Sequence, residues 1–374
     1  MYETATALNI LFFFFQGCSS ALHFFEKVQD LPTRGAADVD YFRIDGSLFL
    51  AFANYHGNIN KYMTSSMIYK MNEQTGKFSL YQTLQTKGAY GLEYFSIADK
   101  HFVAVANNYD GTHQLDSAVY QWNGQRFVVF QKIPTKGATD FTSFTINSEH
   151  YLSVANYYDG STRSIKSVVY KWSNGKFNKF QEIPTEGALE CATFIINNDT
   201  FIAFANHRNS KQQYAVQSTV FKWSGRHFVK LQSLQTYGAW RVNSFNINGH
   251  TFLALANHFN GSNSNIDSFI YKWDGNRFVL FQSIPTRGAD ACHPFVISGQ
   301  TFLGVANCHG DSQKFNTHSV VYQASGAQFI KYQEIPTHAA RDLTTFEYKG
   351  HTYLAVANQF NQKNNINSAL YKWV

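Results

Sequence analysis

Two short motifs recur seven times along this chain, and together they leave few folds open. Ala-Asn ends at Asn54, Asn107, Asn156, Asn206, Asn257, Asn307 and Asn358, at spacings of 49 to 53 residues. Gln-x-x-x-Thr recurs in step, as Gln29/Thr33, Gln82/Thr86, Gln131/Thr135, Gln181/Thr185, Gln232/Thr236, Gln282/Thr286 and Gln333/Thr337. A fixed period of this length marks a repeat architecture, in which no unit buries both its faces alone and each packs on its neighbours.

Each unit reads as four short strands. In one copy these centre on "FTSFTI", "YLSVAN", "SVVYKW" and "KFNKFQEI", with apolar and polar residues alternating and Asn-Gly between the third and fourth. Period-2 alternation and an Asn-Gly turn are strand and hairpin signals. Composition agrees: Phe (35) and Tyr (22) are abundant and Pro (6) is scarce, which suits pleated, half-buried surfaces. Four strands repeated seven times predict an all-β, seven-bladed β-propeller.

The last unit stops at "SALYKWV", after its third strand. The missing fourth strand lies at the other end of the chain, where "LHFFEKVQDLPT" aligns Phe25 with Phe127 and Gln29 with Gln131. The N-terminal strand is therefore expected to complete the last blade. An open ring would leave an unpaired ladder edge.

The propeller is expected to span 22–374. Residues 1–21 read as a signal peptide, with an apolar run "LNILFFFF" and small residues before a cut after Ala21, although the segment carries no Lys or Arg. The run is too short to span a bilayer, which takes about 20 residues. A secreted, extracellular chain is expected, and two N-glycosylation sequons, at Asn198 and Asn260, are compatible with it. Charged residues make up 15% and the formal charge of +6 is spread out, so no nucleic-acid or membrane patch is indicated.

Residues repeated in every blade are read as packing. They include the first-strand Phe series from Phe42 to Phe346, the fourth-strand series from Phe25 to Phe329, and a third-strand Ser three residues before Tyr or Phe. Five third strands add Trp; blades one and six carry Met71 and Ala324 there. The seven Asn are expected to bond local backbone at the turn.

Function is sought where the copies differ. Two residues after the Gly-Ala pair they read Asp38, Gly91, Asp140, Glu190, Arg241, Ala291 and Asp342, with Asp40 and Glu93 two residues further on. These carboxylates approach the axis. Asp38, Asp140, Glu190 and Asp342 are candidate ligands for Ca²⁺, which takes oxygen donors; the other reading is a solvated channel mouth with Arg241 as counterion. No cofactor is otherwise required. The loops after Ala-Asn carry Tyr55, His56, Tyr157, His207, His258, Phe259 and His309, and exposed loops on a rigid scaffold are common binding surfaces.

Cys18 falls in the signal segment, leaving Cys191, Cys292 and Cys308. Cys292 and Cys308 flank one hairpin and are a disulfide candidate; the alternative is two buried thiols. Zinc at Cys292-His293 and Cys308-His309 is not expected, because adjacent strand residues face opposite ways. The sequence contains no His-Glu-x-x-His, Gly-x-Ser-x-Gly, Walker or dinucleotide motif, so a non-enzymatic chain is expected.

The unit "FVLFQSIPTRGADACHPFVISGQTFLGVAN", preceded by "YKW", closely resembles the epilepsy-associated repeat, also called EAR or EPTP. The resemblance runs seven times over 22–374. It implies an extracellular propeller that binds proteins, as in the leucine-rich glioma-inactivated proteins and the thrombospondin-type laminin G domain and EAR repeat proteins. It implies ADAM-type receptor ectodomains as partners and Ca²⁺ in the channel, which strengthens Asp38, Asp140 and Asp342 as metal candidates. These 374 residues include no leucine-rich or laminin-G-like stretch. A secreted module binding a cell-surface receptor or matrix protein is the expected function. A carbohydrate-binding propeller is the alternative, and a hydrolase using Asp140 and Asp342 is a third reading.

Overall fold

The computed structural model describes residues 23–56, 62–309, 315–362 and 365–374. The expected signal segment lies outside them. Seven four-stranded antiparallel sheets make up the fold, and the described residues contain no helix. Blade one is β2 (Ala36–Ile44), β3 (Ser47–Asn54), β4 (Met63–Asn72) and β5 (Lys77–Lys87). Blades two to six repeat this order between residues 89 and 338. Blade seven is β26 (Ala340–Tyr348), β27 (His351–Asn358), β28 (Asn367–Trp373) and β1 (Phe25–Pro32). The chain's first strand thus pairs with its last, Phe25 opposite Trp373 and Leu31 opposite Ser368. The ring closes as the repeat offset requires.

The core lies between blades, not within them. A typical apolar cluster joins Phe42, Phe49 and Ala51 of blade one to Leu92, Val105, Tyr120 and Phe127 of blade two. Each first-strand Phe stacks on its cross-strand aromatic partner, as Phe42 does on Phe49 at 5.2 Å. It also meets, edge to face, the fourth-strand Phe of the next blade, as in Phe42–Phe127 at 5.8 Å and Phe295–Phe25 at 5.9 Å. Edge-to-face pairs add about 0.5–1.5 kcal/mol beyond area burial.

A polar clamp accompanies this contact at all seven junctions. The repeat Gln of each fourth strand donates from Nε2 to the carbonyl of the next blade's fourth-strand Phe and accepts that Phe's N–H at Oε1. The pairs are Gln29/Phe78, Gln82/Phe127, Gln131/Phe177, Gln181/Phe228, Gln232/Phe278, Gln282/Phe329 and Gln333/Phe25, with every bond between 2.7 and 2.9 Å. One side-chain amide supplies the donor and acceptor that the edge of a sheet leaves open.

The repeat Asn does more than bond its own turn. Asn54 donates to the Ser65 carbonyl and accepts from the Arg34 amide, which belongs to the crossover arriving from blade seven. Asn107 and Asn358 repeat the geometry with Lys87 and His338. Behind it the third-strand Ser and the repeat Thr pair side chain to side chain in every blade, as in Ser117–Thr135 at 2.9 Å. The repeat motifs are therefore wiring between blades.

Cys191, Cys292 and Cys308 are free, buried thiols, which corrects the disulfide expectation. The hairpin register sets Cys292 opposite Val305, and Cys308 bonds back to Gly288, beyond the bulge at the strand start. Three residues of strand separate the two sulfurs' positions, further than the Cα spacing a disulfide bridges.

The clamp carries a direct prediction. Gln333→Ala leaves the N–H and C=O of Phe25 without their partner across the closing junction and should cost about 1–3 kcal/mol of unfolding free energy. Gln131→Ala should cost a similar amount, because the geometry is the same. Urea denaturation of both variants checks the equivalence.

Candidate functional site

The first strand of every blade begins with an irregularity in its ladder. In blade one the pairing skips from Ala36 to Asp38, and the equivalent skip recurs in the other six blades. A bulge re-aims neighbouring side chains that would otherwise alternate. Here two successive positions face the central channel, and they build two different layers.

The deeper layer holds the carboxylates. Asp38, Asp140, Glu190 and Asp342 are buried, at 4 to 8% exposure. They line a cavity of about 300 Å³ together with Asp40, Glu93, Arg241 and His293. Each accepts a backbone N–H from the next blade's innermost strand. Asp38 takes Leu92, Asp140 takes Cys191, Glu190 takes Val242, and Asp342 takes Val39. One step further in, Asp40 takes Tyr94 and Glu93 takes Ser143. The innermost strand is a sheet edge, and its inward N–H groups need acceptors. The carboxylates supply them.

Arg241 closes this layer as counterion. In blade five the ladder skips from Ala239 to Val242, which leaves Arg241 outside the pairing. Its guanidinium reaches across the channel to Asp38 Oδ1 at 2.6 Å, Glu190 Oε1 at 3.1 Å and Asp342 Oδ1 at 3.5 Å. The carboxylates of blades one, four and seven therefore converge on a cation that the chain itself supplies. Among the described residues no group of three or more His, Cys, Asp or Glu is arranged to hold a metal ion, so the residues present do not fit a divalent cation there.

The outer layer belongs to the residue just after Gly-Ala, which reads Ala37, Tyr90, Thr139, Leu189, Trp240, Asp290 and Arg341. Arg341 donates to Asp290 Oδ2 at 2.6 Å and lies over the Trp240 ring at 4.6 Å. His258 Nδ1 meets Asp290 Oδ1 at 2.6 Å. Asp290 is wholly buried; despite the burial, Arg341 and His258 hold its carboxyl below the usual range. His207 and His258 pack on Trp240 at 5.2 and 4.7 Å, and His309 lies 5.2 Å from His258. Burial pushes His207 down to about 3 and His309 to about 4, so both are neutral at physiological pH. These three histidines form the floor of the loop face.

Around this floor runs a rim of half-buried rings. Tyr55 contacts Tyr90 and Tyr62, and Tyr62 contacts Tyr109. Tyr109 leads through His113 to Tyr158. Arg163 lies over Tyr157 and Tyr158, at 5.1 and 4.4 Å. Tyr157 approaches His207 at 6.1 Å, and Tyr214 packs on Phe259 at 4.8 Å. His56 meets Tyr55 edge to face at 4.6 Å. The backbone beneath is the same in blade after blade. Gly88 donates to the Tyr62 carbonyl, Gly137 to His113, Gly187 to Arg163 and Gly238 to Tyr214. Gly238 has φ +53, and a Cβ there would lie 2.5 Å from the Phe259 carbonyl oxygen, so in blade five a side chain at this position would displace the loop. Blade seven places Ala339 in this left-handed conformation, at φ 44.

Seven successive segments match the EPTP domain: residues 25–72, 77–123, 126–173, 176–224, 227–274, 277–323 and 328–374. The chain belongs to the EPTP family. Each EPTP unit starts on a fourth strand and ends on the third strand of the following blade, so the sequence repeat and the blade are offset by one strand. That offset is what joins the two ends of the chain.

The chain is also similar to the thrombospondin-type laminin G domain and EAR repeat-containing proteins of Homo sapiens and Mus musculus, at 38% identity over 100 residues in each case. That match covers 26% of this chain and 15% of each relative. Among solved structures, the periplasmic gluconolactonase of Pseudomonas aeruginosa superposes with a TM-score of 0.59 over 81% of this chain and 86% of its own. Its identity is 14%, which is a likeness of fold alone. No helix among the described residues is long and apolar enough to cross a membrane.

The loop residues singled out from sequence do come together on one face, but as packed members of the floor and rim. Asn260 is exposed on the same face, and Asn198 is exposed at a hairpin turn on the opposite one. Trp240, Tyr90, Asp290 and Arg341 were not anticipated. Their signal was available in the variable position directly after Gly-Ala, yet only the bulge turns that position towards the axis.

The channel has a pH signature. Burial pushes Asp40 and Asp140 up to about 7 and Glu190 up to about 8; Arg241 opposes this for Asp140 and Glu190, and neighbouring carboxylates add to it. Glu93 and Asp342 are raised for the same first reason. A raised carboxyl binds more protons folded than unfolded, so its contribution to stability falls as pH rises through the folded value. Buried neutral His207, His293 and His309 act in the opposite sense, but only below the ordinary histidine value of 6.5. Stability should therefore fall between pH 6.5 and 8. Glu190→Gln, which keeps an oxygen for Val242, should flatten that fall; urea midpoints across the window check it.

Proposed function

We propose that this chain is a secreted, non-enzymatic protein-interaction module whose loop face engages a cell-surface receptor or matrix protein. The observation that carries the reading is the rim: unlike aromatic and basic side chains displayed at equivalent positions by a backbone shared between blades. A scaffold wired together by repeat residues leaves its loops free to differ, and rigid aromatic rings with arginine beside them are the side chains enriched where protein interfaces are strongest. Membership of the EPTP family supports a protein partner. The channel carboxylates, each engaged by a neighbouring blade's amide, are occupied with structure and are not offered as acid or base.

The partner class to try first is an ADAM-type receptor ectodomain, followed by matrix proteins on intact cells. Tyr158→Ser with Arg163→Ala, and Tyr214→Ser, should leave the thermal midpoint within a few degrees and reduce saturable binding by tenfold or more. Arg126→Ala and Arg277→Ala, on hairpin turns of the opposite face, should leave binding unchanged. Loss of binding from the hairpin-face pair alone would overturn the assignment of the face. Absence of saturable binding to any ectodomain or cell surface would overturn the module reading itself.

A further inference from the structure

We infer that Arg241 is a tethered cation standing where a bound divalent ion would otherwise sit, so that this propeller closes its channel without a metal. The EAR resemblance leads one to expect Ca²⁺ among these carboxylates; the geometry points elsewhere. Asp38, Asp140, Glu190 and Asp342 each commit one oxygen to an amide of the following blade. The remaining oxygens of Asp38, Glu190 and Asp342 face the guanidinium, which contacts carboxylates contributed by blades one, four and seven at once. Asp140, the fourth, has its committed oxygen further bonded by the Thr142 hydroxyl.

A calcium ion takes about six to eight oxygens at roughly 2.3–2.6 Å. To seat one, these oxygens would have to leave Arg241. The displaced guanidinium would stay beside the ion in the same cavity of about 300 Å³, with like charges opposed at low dielectric. The arginine is better suited to this set than an ion. Its planar fork of N–H donors reaches several carboxylates while remaining always charged. It is also placed by the fold: Arg241 lies in the widened ladder skip of blade five, and the adjacent Val242 amide is fixed by Glu190. Among the seven equivalent positions Asp38, Gly91, Asp140, Glu190, Arg241, Ala291 and Asp342, it alone is cationic.

The test is thermal unfolding of the full chain in EDTA and in millimolar CaCl₂. The wild-type midpoint should be the same in both, to within about one degree. Arg241→Gln removes the cation and should unfold several degrees lower in EDTA, with CaCl₂ restoring part of the loss, since a ligand that binds only the folded state stabilises it. Arg241→Lys keeps a charge in place; it should fold and remain indifferent to CaCl₂, which keeps the question open to measurement if the glutamine variant does not fold. A wild-type midpoint raised by CaCl₂ or lowered by EDTA would overturn the inference. So would an Arg241→Gln chain as stable in EDTA as the wild type.

Discussion

The clamp between each repeat glutamine and the backbone of the next blade is the interaction on which this ring depends. A four-stranded sheet has two edges, and seven such sheets in a ring have fourteen. The outer strands lie too far apart to pair with one another, so their open groups need another solution. A glutamine amide matches a peptide group donor for acceptor, and one placed on every fourth strand ties each blade to its neighbour in one sense around the ring. The seventh clamp, Gln333 to Phe25, joins residues 308 positions apart in sequence. Closure therefore uses no special device; it is the ordinary junction formed between the chain's two ends.

The inner edges are solved differently. There the strands converge on the axis, space is short, and a single carboxylate oxygen accepts the neighbour's N–H. This choice brings negative charge into a small buried volume. Protonation of Asp40, Asp140 and Glu190 near neutral pH relieves part of it, and the guanidinium of Arg241 meets much of the rest. The acidic channel is thus explained by edge-strand hydrogen bonding before any ligand is invoked. In blade six, where the position is Ala291, a side-chain bond from His293 to Thr345 links to blade seven instead.

With both edges wired by repeat residues, the loop face is where the blades differ from one another. The Gly-Ala crossover and the Ala-Asn turn hold the loop backbone in a common geometry, and the side chains above them vary freely: tyrosine, histidine, arginine or phenylalanine at matching places. Asp290, Arg341, His258 and Trp240 pack on one another into a floor beside the axis.

The period of the two motifs, the strand alternation within each unit and the truncated last unit were enough to determine seven blades of four strands and the joining of N-terminal to C-terminal strand. These are local or periodic properties, and a single sequence displays them directly. Only the tertiary structure decided what the repeated polar residues bond to. Asn54 and Gln29 reach partners in adjacent blades, and spacing along the chain says nothing about contacts across a junction. It also separated Cys292 from Cys308, since the hairpin register and a bulge set their distance. It buried Asp38, Asp140, Glu190 and Asp342 around Arg241, and it drew Trp240, Asp290 and Arg341 to the axis. The placing of the carboxylates around Arg241 and of Trp240, Asp290 and Arg341 at the axis follows from an irregularity at the start of the first strand, one residue wide in six blades and two in blade five. An alternation rule read from sequence assigns such residues to the wrong side, because the irregularity exists only once the strands have paired.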